Sequence, residues 1–371
     1  MKLTIERAPL LKALGHVQSV VERRTTIPIL ANMLLNAGDG TLALTATDMD
    51  LAIDEKVAAD IGQSGSITAP AHTLFDIVRK LPEGAEVSFE TSGEGRVDIH
   101  AGRSRFSLSS LPGEEFPSIS GGDMPHRFEL AASELRRLID CTRFAISTEE
   151  TRYYLNGIFV HEAQSDGELV LRAVATDGHR LARAEITLPE GAGGVPGVIV
   201  PRKAVNEVRK LIDDSSDSVD IELSETRLQF SFDRVVLSSK LIDGTFPDYE
   251  RVIPTGNDRV LRVSRNAFVE AVDRVSTIST EKSRAIKLRL DSGTLTLSAT
   301  SPENGTAREE LEVTYSAGPL EIGFNSRYLL DIASQIEGDE AEFVLADGAS
   351  PTIVHDTADQ SALYVLMPMR V

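Results

Sequence analysis

One stretch of the chain has residue types that could support acid–base chemistry. The run TDGHRLAR, from Thr176 to Arg183, places the carboxylate of Asp177 two residues before the imidazole of His179. Enzymes use both groups to transfer protons near neutral pH. Two similar runs, Thr47-Asp48-Met49 and Thr300-Ser301-Pro302, lack the histidine. We therefore interpret the stretch as a structural turn after a strand.

Other signatures of enzymatic chemistry are missing from the sequence. It has no G-x-x-x-x-G-K-[ST] phosphate-binding loop, so we expect no ATP hydrolysis. The run GAGGVPG at 191–197 follows Leu-Pro-Glu instead of a strand, which favours a flexible connector. Cys141 is the one cysteine and lies in an amphipathic helical pattern, so we interpret it as a buried small residue. The seven histidines are scattered, and we predict neither a metal site nor a cofactor.

A repeated pattern indicates how the chain is organised. The runs GTLALTATD (40–48), GELVLRAVATD (167–177) and GTLTLSATS (293–301) align on Thr47, Thr176 and Thr300, which lie 129 and 124 residues apart. This period approaches the size of a whole domain. We predict three tandem domains, at 1–120, 127–254 and 257–371. Linkers rich in Gly, Pro and polar residues are expected at 118–126 and 253–259.

Each repeat combines two helical patterns with short alternating segments. Apolar residues at helical spacing predict helices at 7–24, 70–81, 130–145, 198–212, 263–275 and 324–336. Alternating residues such as Leu42, Leu44 and Ala46 predict strands, and turn signals such as GDG at Gly38 precede them. Each domain is therefore predicted to be a duplicated unit of a helix followed by antiparallel strands, an α+β fold.

Charge is unevenly distributed along the chain. The net charge is −19, yet the six predicted helices carry 16 Lys or Arg against 8 Asp or Glu, leaving −27 elsewhere. The basic pairs are Arg23-Arg24, Arg79-Lys80, Arg136-Arg137, Arg202-Lys203 and Arg209-Lys210. Any single pair is typical of a solvated helix face. If the helices line one common surface, that surface would hold phosphates by charge without reading bases.

Several motifs resemble those of the bacterial sliding clamp family, the beta subunits of DNA polymerase III. They are MKLTIER (1–7), GRSRFSLSSLP (102–112), RYYLNG (152–157), TDGHRLA (176–182), VPRK (200–203), FPDY (246–249) and YVLMPMRV (364–371). The resemblance covers the full chain. It implies a head-to-tail homodimeric ring of six like domains, with helices lining the hole and sheets outside. It also implies a non-catalytic DNA processivity factor in the cytoplasm, associated with the nucleoid and not with a membrane.

The same resemblance implies three sets of site residues. Its expected partners are encircled double-stranded DNA, the replicative polymerase catalytic subunit, the clamp loader and other proteins with clamp-binding motifs. The partner-peptide cleft would comprise Leu155, Thr176, Gly178, His179, Arg180, Leu181, Pro247, Arg251, Val252, Asn325, Tyr328, Val365, Leu366, Met367, Pro368, Met369 and Arg370. The dimer interface would comprise Arg103, Arg105, Phe106, Thr277, Ile278, Glu303, Glu309 and Glu310.

For DNA, the resemblance and the basic pairs together select one set of residues. It comprises Arg24, Arg79, Lys80, Arg137, Tyr153, Tyr154, Arg202, Lys203, Arg209 and Lys210. The C-terminal tail has a simpler interpretation beside the cleft, as an edge strand that completes the last sheet. Two alternative functions stay open: an enzyme acting on DNA ends with Asp48 and Asp177 in a metal site, and a protein scaffold without a DNA role.

Overall fold

The computed structural model describes residues 1–92, 95–117, 122–213, 217–279 and 284–370. Within these ranges it contains six α-helices, 26 strands and four short 3₁₀ helices. The predicted linker at 118–126 lies partly outside the described residues, at 118–121, and so does the last residue of the YVLMPMRV motif.

The helices lie where the apolar spacing predicts them, but with shorter bounds. They are α1 (Arg7–Val17), α2 (Ala71–Lys80), α3 (Ala132–Arg143), α4 (Arg202–Asp213), α5 (Arg265–Ser276) and α6 (Ser326–Ala333). The 3₁₀ helices span Pro28–Ala31, Gly113–Glu115, Glu150–Leu155 and Tyr249–Val252.

The strands account for most of the remaining chain. They are β1 (Lys2–Glu6), β2 (Asn32–Gly38), β3 (Thr41–Thr47), β4 (Leu51–Ala58), β5 (Asp60–Gln63), β6 (Gly65–Pro70), β7 (Glu86–Ser92), β8 (Arg96–Ala101), β9 (Ser104–Ser109), β10 (His126–Ala131), β11 (Gly157–Ser165), β12 (Glu168–Thr176), β13 (Arg180–Thr187), β14 (Val198–Pro201), β15 (Ser218–Leu223), β16 (Arg227–Phe232), β17 (Val235–Lys240), β18 (Arg259–Ser264), β19 (Ala285–Asp291), β20 (Thr294–Ser301), β21 (Gly305–Glu312), β22 (Thr314–Tyr315), β23 (Leu320–Asn325), β24 (Glu340–Leu345), β25 (Thr352–Asp356) and β26 (Ala362–Leu366).

The chain divides into two compact units. The first comprises residues 1–133, 189–196 and 203–241. It contains a five-stranded sheet in the order β5-β1-β7-β8-β9 and an eight-stranded sheet in the order β10-β15-β16-β17-β4-β3-β2-β6. Helix α1 packs against α2, and it buries Leu10, Ala13, Leu14 and Val17.

The second unit comprises residues 134–188, 197–202 and 242–371. It contains a nine-stranded sheet in the order β14-β11-β12-β13-β26-β25-β24-β18-β22 and a four-stranded sheet in the order β21-β20-β19-β23. Helix α5 packs against α6. Strand β26 lies between β13 and β25, so the C-terminal strand is an inner strand and the predicted edge position is wrong.

Strand pairing in both units joins segments that the sequence assigns to different domains. In the first unit β17 pairs with β4, and Leu237 lies opposite Ile53. In the second unit β13 pairs with β26, and Leu181 lies opposite Val365. Both pairings are antiparallel. Because β13 and β17 both lie within the predicted middle domain, that domain contributes strands to both large sheets. The exact domain limits stay a prediction from the sequence.

The hairpin turns follow from their residue types. Asp39 and Gly40 join β2 to β3 with φ of 48° and 70°, and Asp166 and Gly167 join β11 to β12 with φ of 50° and 88°. Two successive positive φ angles match the twist of paired strands, and Asp-Gly is among the pairs that adopt them at least cost. The sequence signals before each alternating run therefore specify the register of these strands.

Two predicted helices begin or end differently in the structure. Helix α1 ends at Val17, so Arg23 and Arg24 lie in the following loop and not on a helix. Residues 198–201, predicted as helix, form strand β14. Its β-branched residues Val198, Ile199 and Val200 favour an extended backbone. Within the observed bounds, α1 to α4 carry the excess of basic residues, whereas α5 and α6 are balanced.

Candidate functional site

The TDGHR run forms a closed turn between β12 and β13. The Thr176 hydroxyl donates to the carbonyl of Arg180 at 2.7 Å and accepts from the Gly178 amide at 3.1 Å. The Asp177 carboxylate accepts from the amides of His179 and Arg180, both at 3.0 Å. Asp177 thus satisfies backbone donors, which confirms the interpretation of this run as a structural turn.

The first repeat contains the same turn. Thr47 donates to the Leu51 carbonyl at 2.9 Å, and Asp48 accepts from the amides of Asp50 and Leu51 at 2.9 and 2.7 Å. The third residue of the turn has a positive φ in both copies, 86° at Gly178 and 81° at Met49. Asp48 and Asp177 therefore have the same local structural role. Among the described residues no cluster of three or more His, Cys, Asp or Glu could hold a metal ion.

Arg180 connects the second turn to the surrounding structure. Its side chain is 8% exposed and binds Asp177 at 3.1 Å, Asp331 at 2.6 Å and the carbonyl of Phe144 at 2.7 Å. The guanidinium also lies 4.3 Å from the ring centroid of Tyr328, which stacks on His179. Charged hydrogen bonds and a desolvated cation–π contact are each strong interactions. Arg180 thus holds α6 against the turn, and His179 and Tyr328 form one aromatic wall.

The C-terminal segment lies beside this turn. The Met367 amide donates to the carbonyl of His179 at 2.9 Å, and the Met369 amide donates to the carbonyl of Gly323 at 2.8 Å. The Met367 side chain remains 38% exposed. Methionine side chains are flexible and polarisable, and they adapt to ligands of different shape.

A buried apolar cluster forms the base of the same region. It contains Leu155, Val174, Leu181, Ile199, Phe246, Tyr249 and Val365. Leu155, Leu181 and Val365 are predicted cleft residues. Pro247, Arg251 and Val252 flank Phe246 and Tyr249 in sequence, and the side chain of Arg251 is 85% exposed. Asn325 caps α6 by accepting from the Arg327 amide at 3.0 Å. All the predicted cleft residues belong to the second unit, and Leu155, Leu181 and Val365 lie in one cluster there.

Residues outside the predicted set complete the region. A Cβ atom at Gly178 would lie 2.6 Å from the guanidinium of Arg152, which itself pairs with Glu149 at 2.7 Å. The hydrogen bond from Arg152 lowers the pKa of Glu149. Burial raises the pKa of the Tyr328 hydroxyl. The predicted cleft does not include Arg152, Phe246, Tyr249 or Asp331. The RYYLNG motif contains Arg152 and the FPDY motif contains Phe246 and Tyr249, and these motifs are the one signal in the sequence that could have selected them.

The predicted DNA contacts differ in exposure, and several pair with a carboxylate. Arg79 pairs with Asp76 at 2.9 Å, and Lys210 pairs with Glu207 at 2.7 Å. Arg24, Arg79, Lys80, Arg202, Lys210 and Tyr153 are exposed, and Tyr154 and Arg209 are half-buried. Arg137 pairs with Asp359 and donates to the carbonyl of Glu185. Lys203 donates to the Val20 carbonyl at 3.0 Å and to Glu22 and Asp48 at 2.5 Å each. Arg137 and Lys203 therefore have structural contacts within the chain, and their role as DNA contacts stays a prediction.

The predicted interface residues lie on two exposed strands and at the end of α5. Arg103 and Arg105 are exposed on the β8–β9 hairpin, and Phe106 is half-buried. Thr277 and Ile278 follow α5, and Glu303 precedes β21. Glu309 makes a bidentate ion pair with Arg274, at 2.6 and 3.1 Å, which lowers the pKa of Glu309. Glu310 pairs with Arg308 at 2.6 Å. Neighbouring residues on a strand face opposite sides, so Glu309 and Glu310 point to opposite sides of β21, and their place in a dimer interface stays a prediction.

Comparison with known proteins agrees with this architecture. Family models for the N-terminal, central and C-terminal domains of the DNA polymerase III beta subunit match residues 1–120, 129–248 and 250–370. The beta sliding clamps of Caulobacter vibrioides and Escherichia coli K12 are 57% and 39% identical over 372 residues, covering the whole of both chains.

Solved structures give the same result. A Caulobacter crescentus beta sliding clamp with polyethylene glycol bound superposes with a TM-score of 0.98 at 57% identity, covering 100% of this chain and 99% of that one. A Bartonella birtlesii sliding clamp bound to griselimycin gives a TM-score of 0.97 at 52% identity, with both chains fully covered. The prediction of three tandem clamp-like domains is confirmed. The chain belongs to the DNA polymerase III beta subunit family, the bacterial beta sliding clamps.

Proposed function

We propose that the protein is a homodimeric sliding clamp that encircles duplex DNA and tethers the replicative polymerase through the cleft on its second unit. Membership of the clamp family over the full chain is the observation that carries this proposal. The clamp is a non-catalytic accessory subunit of the polymerase holoenzyme. We place it in the cytoplasm with the nucleoid, and no described helix is long and apolar enough to span a membrane.

The basic residues support a sequence-independent contact with DNA. Among the predicted set, Arg24, Arg79, Lys80, Arg202 and Lys210 are exposed on a chain whose net charge is −19. Lysine and arginine bind phosphates without reading bases, and each contact weakens as salt rises. A closed ring keeps the DNA by topology, so weak phosphate contacts suffice and permit sliding. The acidic remainder of the chain repels DNA elsewhere.

The cleft supports a tether for partner peptides. It offers buried apolar residues (Leu155, Leu181, Val365), an aromatic wall (His179 and Tyr328) and adaptable methionines. Such a surface suits a short peptide with large apolar side chains and a few polar contacts. We propose the same cleft as the site for the polymerase catalytic subunit, the clamp loader and, by relation to the Bartonella clamp, griselimycin.

The distinguishing experiment is retention on DNA of different topology. The clamp loader would load labelled protein onto a nicked circular plasmid, and gel filtration would then follow the complex before and after linearisation. We expect retention on the circle and rapid loss from the linear product. Equal retention on both forms would contradict encirclement. Glu substitutions at Arg24, Arg79, Lys80 and Lys210 should impair loading while the circular dichroism spectrum stays unchanged.

Truncation after Leu366 tests the cleft separately. It removes Met367, whose amide binds the His179 carbonyl, and Met369, whose amide binds the Gly323 carbonyl. We expect polymerase stimulation to be lost while dimer formation persists in sedimentation velocity. Normal stimulation by the truncated protein would exclude this cleft as the polymerase site.

A further inference from the structure

A buried polar row crosses three neighbouring strands of the nine-stranded sheet. His161 on β11 lies opposite Arg172 on β12, and Arg172 lies opposite Glu185 on β13. The Arg172 side chain is 4% exposed, and its Nε donates to Glu185 at 2.9 Å. Glu185 also accepts from the Ser165 hydroxyl at 2.5 Å. Burying a guanidinium is costly unless polar groups surround it, and here the buried Arg172 is held by such partners.

The row continues into the 3₁₀ helix Tyr249–Val252. Arg172 Nη1 donates to the Tyr249 hydroxyl at 3.0 Å and to Glu250 at 3.1 Å. The Tyr249 hydroxyl lies 3.0 Å from His161 Nε2, and His161 Nδ1 lies 2.7 Å from the Glu162 carbonyl. Nδ1 donates to that carbonyl, and in the neutral imidazole Nε2 accepts from the Tyr249 hydroxyl. Burial and the Arg172 charge both lower the pKa of His161, in agreement with this arrangement.

Tyr249 joins the polar row to the apolar base of the cleft. It is 5% exposed and belongs to the cluster with Leu155, Leu181 and Val365. Its ring lies 6.5 Å from that of Phe246 and 5.8 Å from that of His161. Two and three residues further along the chain, Arg251 and Val252 stay exposed on the predicted cleft wall. Tyr249 and its neighbour Glu250 therefore connect Arg172 to the wall.

The backbone before Tyr249 lies outside regular secondary structure. Residues 243–248 belong to neither a helix nor a strand. Phe246 and Tyr249, 8% and 5% exposed, are the buried side chains of this loop and its 3₁₀ helix, and Ile242 and Ile253 pack against the same cluster at the two ends. The segment between these ends gains freedom to move when one of its two buried anchors loosens. If the loop is more mobile, ligand binding must order it, and the entropy lost in that ordering lowers the affinity.

We infer that Arg172, acting through Tyr249, is a positioning residue that fixes the Arg251–Val252 wall of the partner-peptide cleft. Arg172 is too buried to touch a ligand, so it acts by preorganisation. This inference rests on the proposed function of the cleft. It predicts that removing the Tyr249 hydroxyl lowers the affinity for a ligand in the cleft more than it lowers the thermal stability of the protein.

The test compares two identical chemical changes at two buried tyrosines. Tyr249→Phe removes the hydroxyl that binds Arg172 and His161. Tyr315→Phe is the matched control, because Tyr315 is 4% exposed and donates to the Gly318 carbonyl at 2.7 Å from β22, the far edge strand of the same sheet. Isothermal titration with griselimycin would give the affinity, and thermal unfolding would give the stability. Hydrogen exchange of a peptide containing residues 246–253 would report the loop.

We expect Tyr249→Phe to bind griselimycin about tenfold more weakly, the effect of about 1.4 kcal/mol, with faster exchange in the loop. Tyr315→Phe should bind as the parent does. Arg172→Lys is a second variant, and it keeps the positive charge. A lysine ammonium lacks the planar arrangement of N–H donors with which the guanidinium binds Glu185 and Tyr249 at the same time. This variant should weaken binding to a similar extent.

The other outcomes are also decisive. Unchanged affinity in both Tyr249→Phe and Arg172→Lys would overturn the positioning role, and so would equal weakening in Tyr315→Phe. If the parent protein binds griselimycin but truncation after Leu366 leaves that binding intact, the cleft is elsewhere. That result, or no binding by the parent protein, overturns the proposed site together with the positioning role.

Discussion

Lys203 provides the sharpest test of how the structure changes a prediction from sequence. Its Nζ donates to the Val20 carbonyl and to the carboxylates of Glu22 and Asp48, and the side chain is 34% exposed. These contacts fasten the start of α4 to the loop after α1 and to the Thr47–Leu51 turn. Lys203→Met keeps most of the aliphatic stem and removes all three contacts. We therefore expect a loss of stability and not a loss of DNA contact.

The expected magnitude follows from the exposure of each partner. The carboxylate of Glu22 is 61% exposed, and a pair of that kind contributes about 0–1 kcal/mol. The side chain of Asp48 is 18% exposed, and its carboxylate accepts from two amides of its own turn. Removing the partner of a mostly buried charge costs more, up to about 3–5 kcal/mol when burial is complete. We expect about 2 kcal/mol in total.

Lys240→Met is the matched control, because Lys240 pairs with Asp50 of the same turn. That pair is 2.9 Å long, with side chains 49% and 77% exposed, so its removal should cost less than about 1 kcal/mol. Urea unfolding would compare the three proteins, and hydrogen exchange of a peptide spanning residues 41–51 would locate the change. Faster exchange should occur in Lys203→Met and not in Lys240→Met.

Salt dependence of DNA binding separates the structural role from a phosphate contact. A lysine that binds phosphate contributes about 0.9 to the slope of log K against log salt. We expect Lys203→Met to leave this slope unchanged. If stability were unaltered and the slope fell by about 0.9, Lys203 would bind DNA phosphate instead of Glu22 and Asp48. That result would contradict the structural role of Lys203.

Three further predictions follow from single features of the structure. Met49→Gly should stabilise the protein by about 1 kcal/mol, because Met49 has a φ of 81°, which glycine adopts at less cost. Gly178→Ala should destabilise the protein by at least about 1 kcal/mol, because the new Cβ would meet the guanidinium of Arg152. Shifts of the melting temperature with the same sign in the two variants would contradict this. Burial lowers the pKa of His161 and His355, so the unfolded chain binds more protons than the folded chain below pH 6.5. The free energy of unfolding should therefore rise with pH up to that value. The urea midpoints at pH 5.5 and pH 7.5 should lie closer together in a His355→Gln variant than in the parent protein, and an unchanged difference would refute the contribution of His355. Arg137→Met should leave the salt slope of DNA binding unchanged, because Arg137 is paired with Asp359, while Lys80→Met, which removes an exposed lysine, should reduce it; equal slopes in the two variants would count against this division.

Local patterns in the sequence were sufficient for the elements and for much of the cleft. Apolar spacing located six helices, and Asp-Gly signals located the β2–β3 and β11–β12 hairpins, because both depend on interactions between near neighbours. The absence of histidine from the repeat partners of TDGHR correctly favoured a structural turn. The motif resemblance selected Leu155, Leu181 and Val365, which the structure places in one cluster.

Contacts between distant segments were decided only by the tertiary structure. A basic residue in the sequence does not reveal whether a carboxylate from a distant segment will meet it, so the sequence does not distinguish Lys203 and Arg137, which meet Asp48 and Asp359, from the exposed Lys80. Likewise, the pairing of β26 between β13 and β25 joins strands about 180 residues apart, and no local pattern encodes such a partner. Helical spacing and turn chemistry depend on interactions over a few residues, whereas charge neutralisation and sheet order depend on which surfaces meet once the chain has packed.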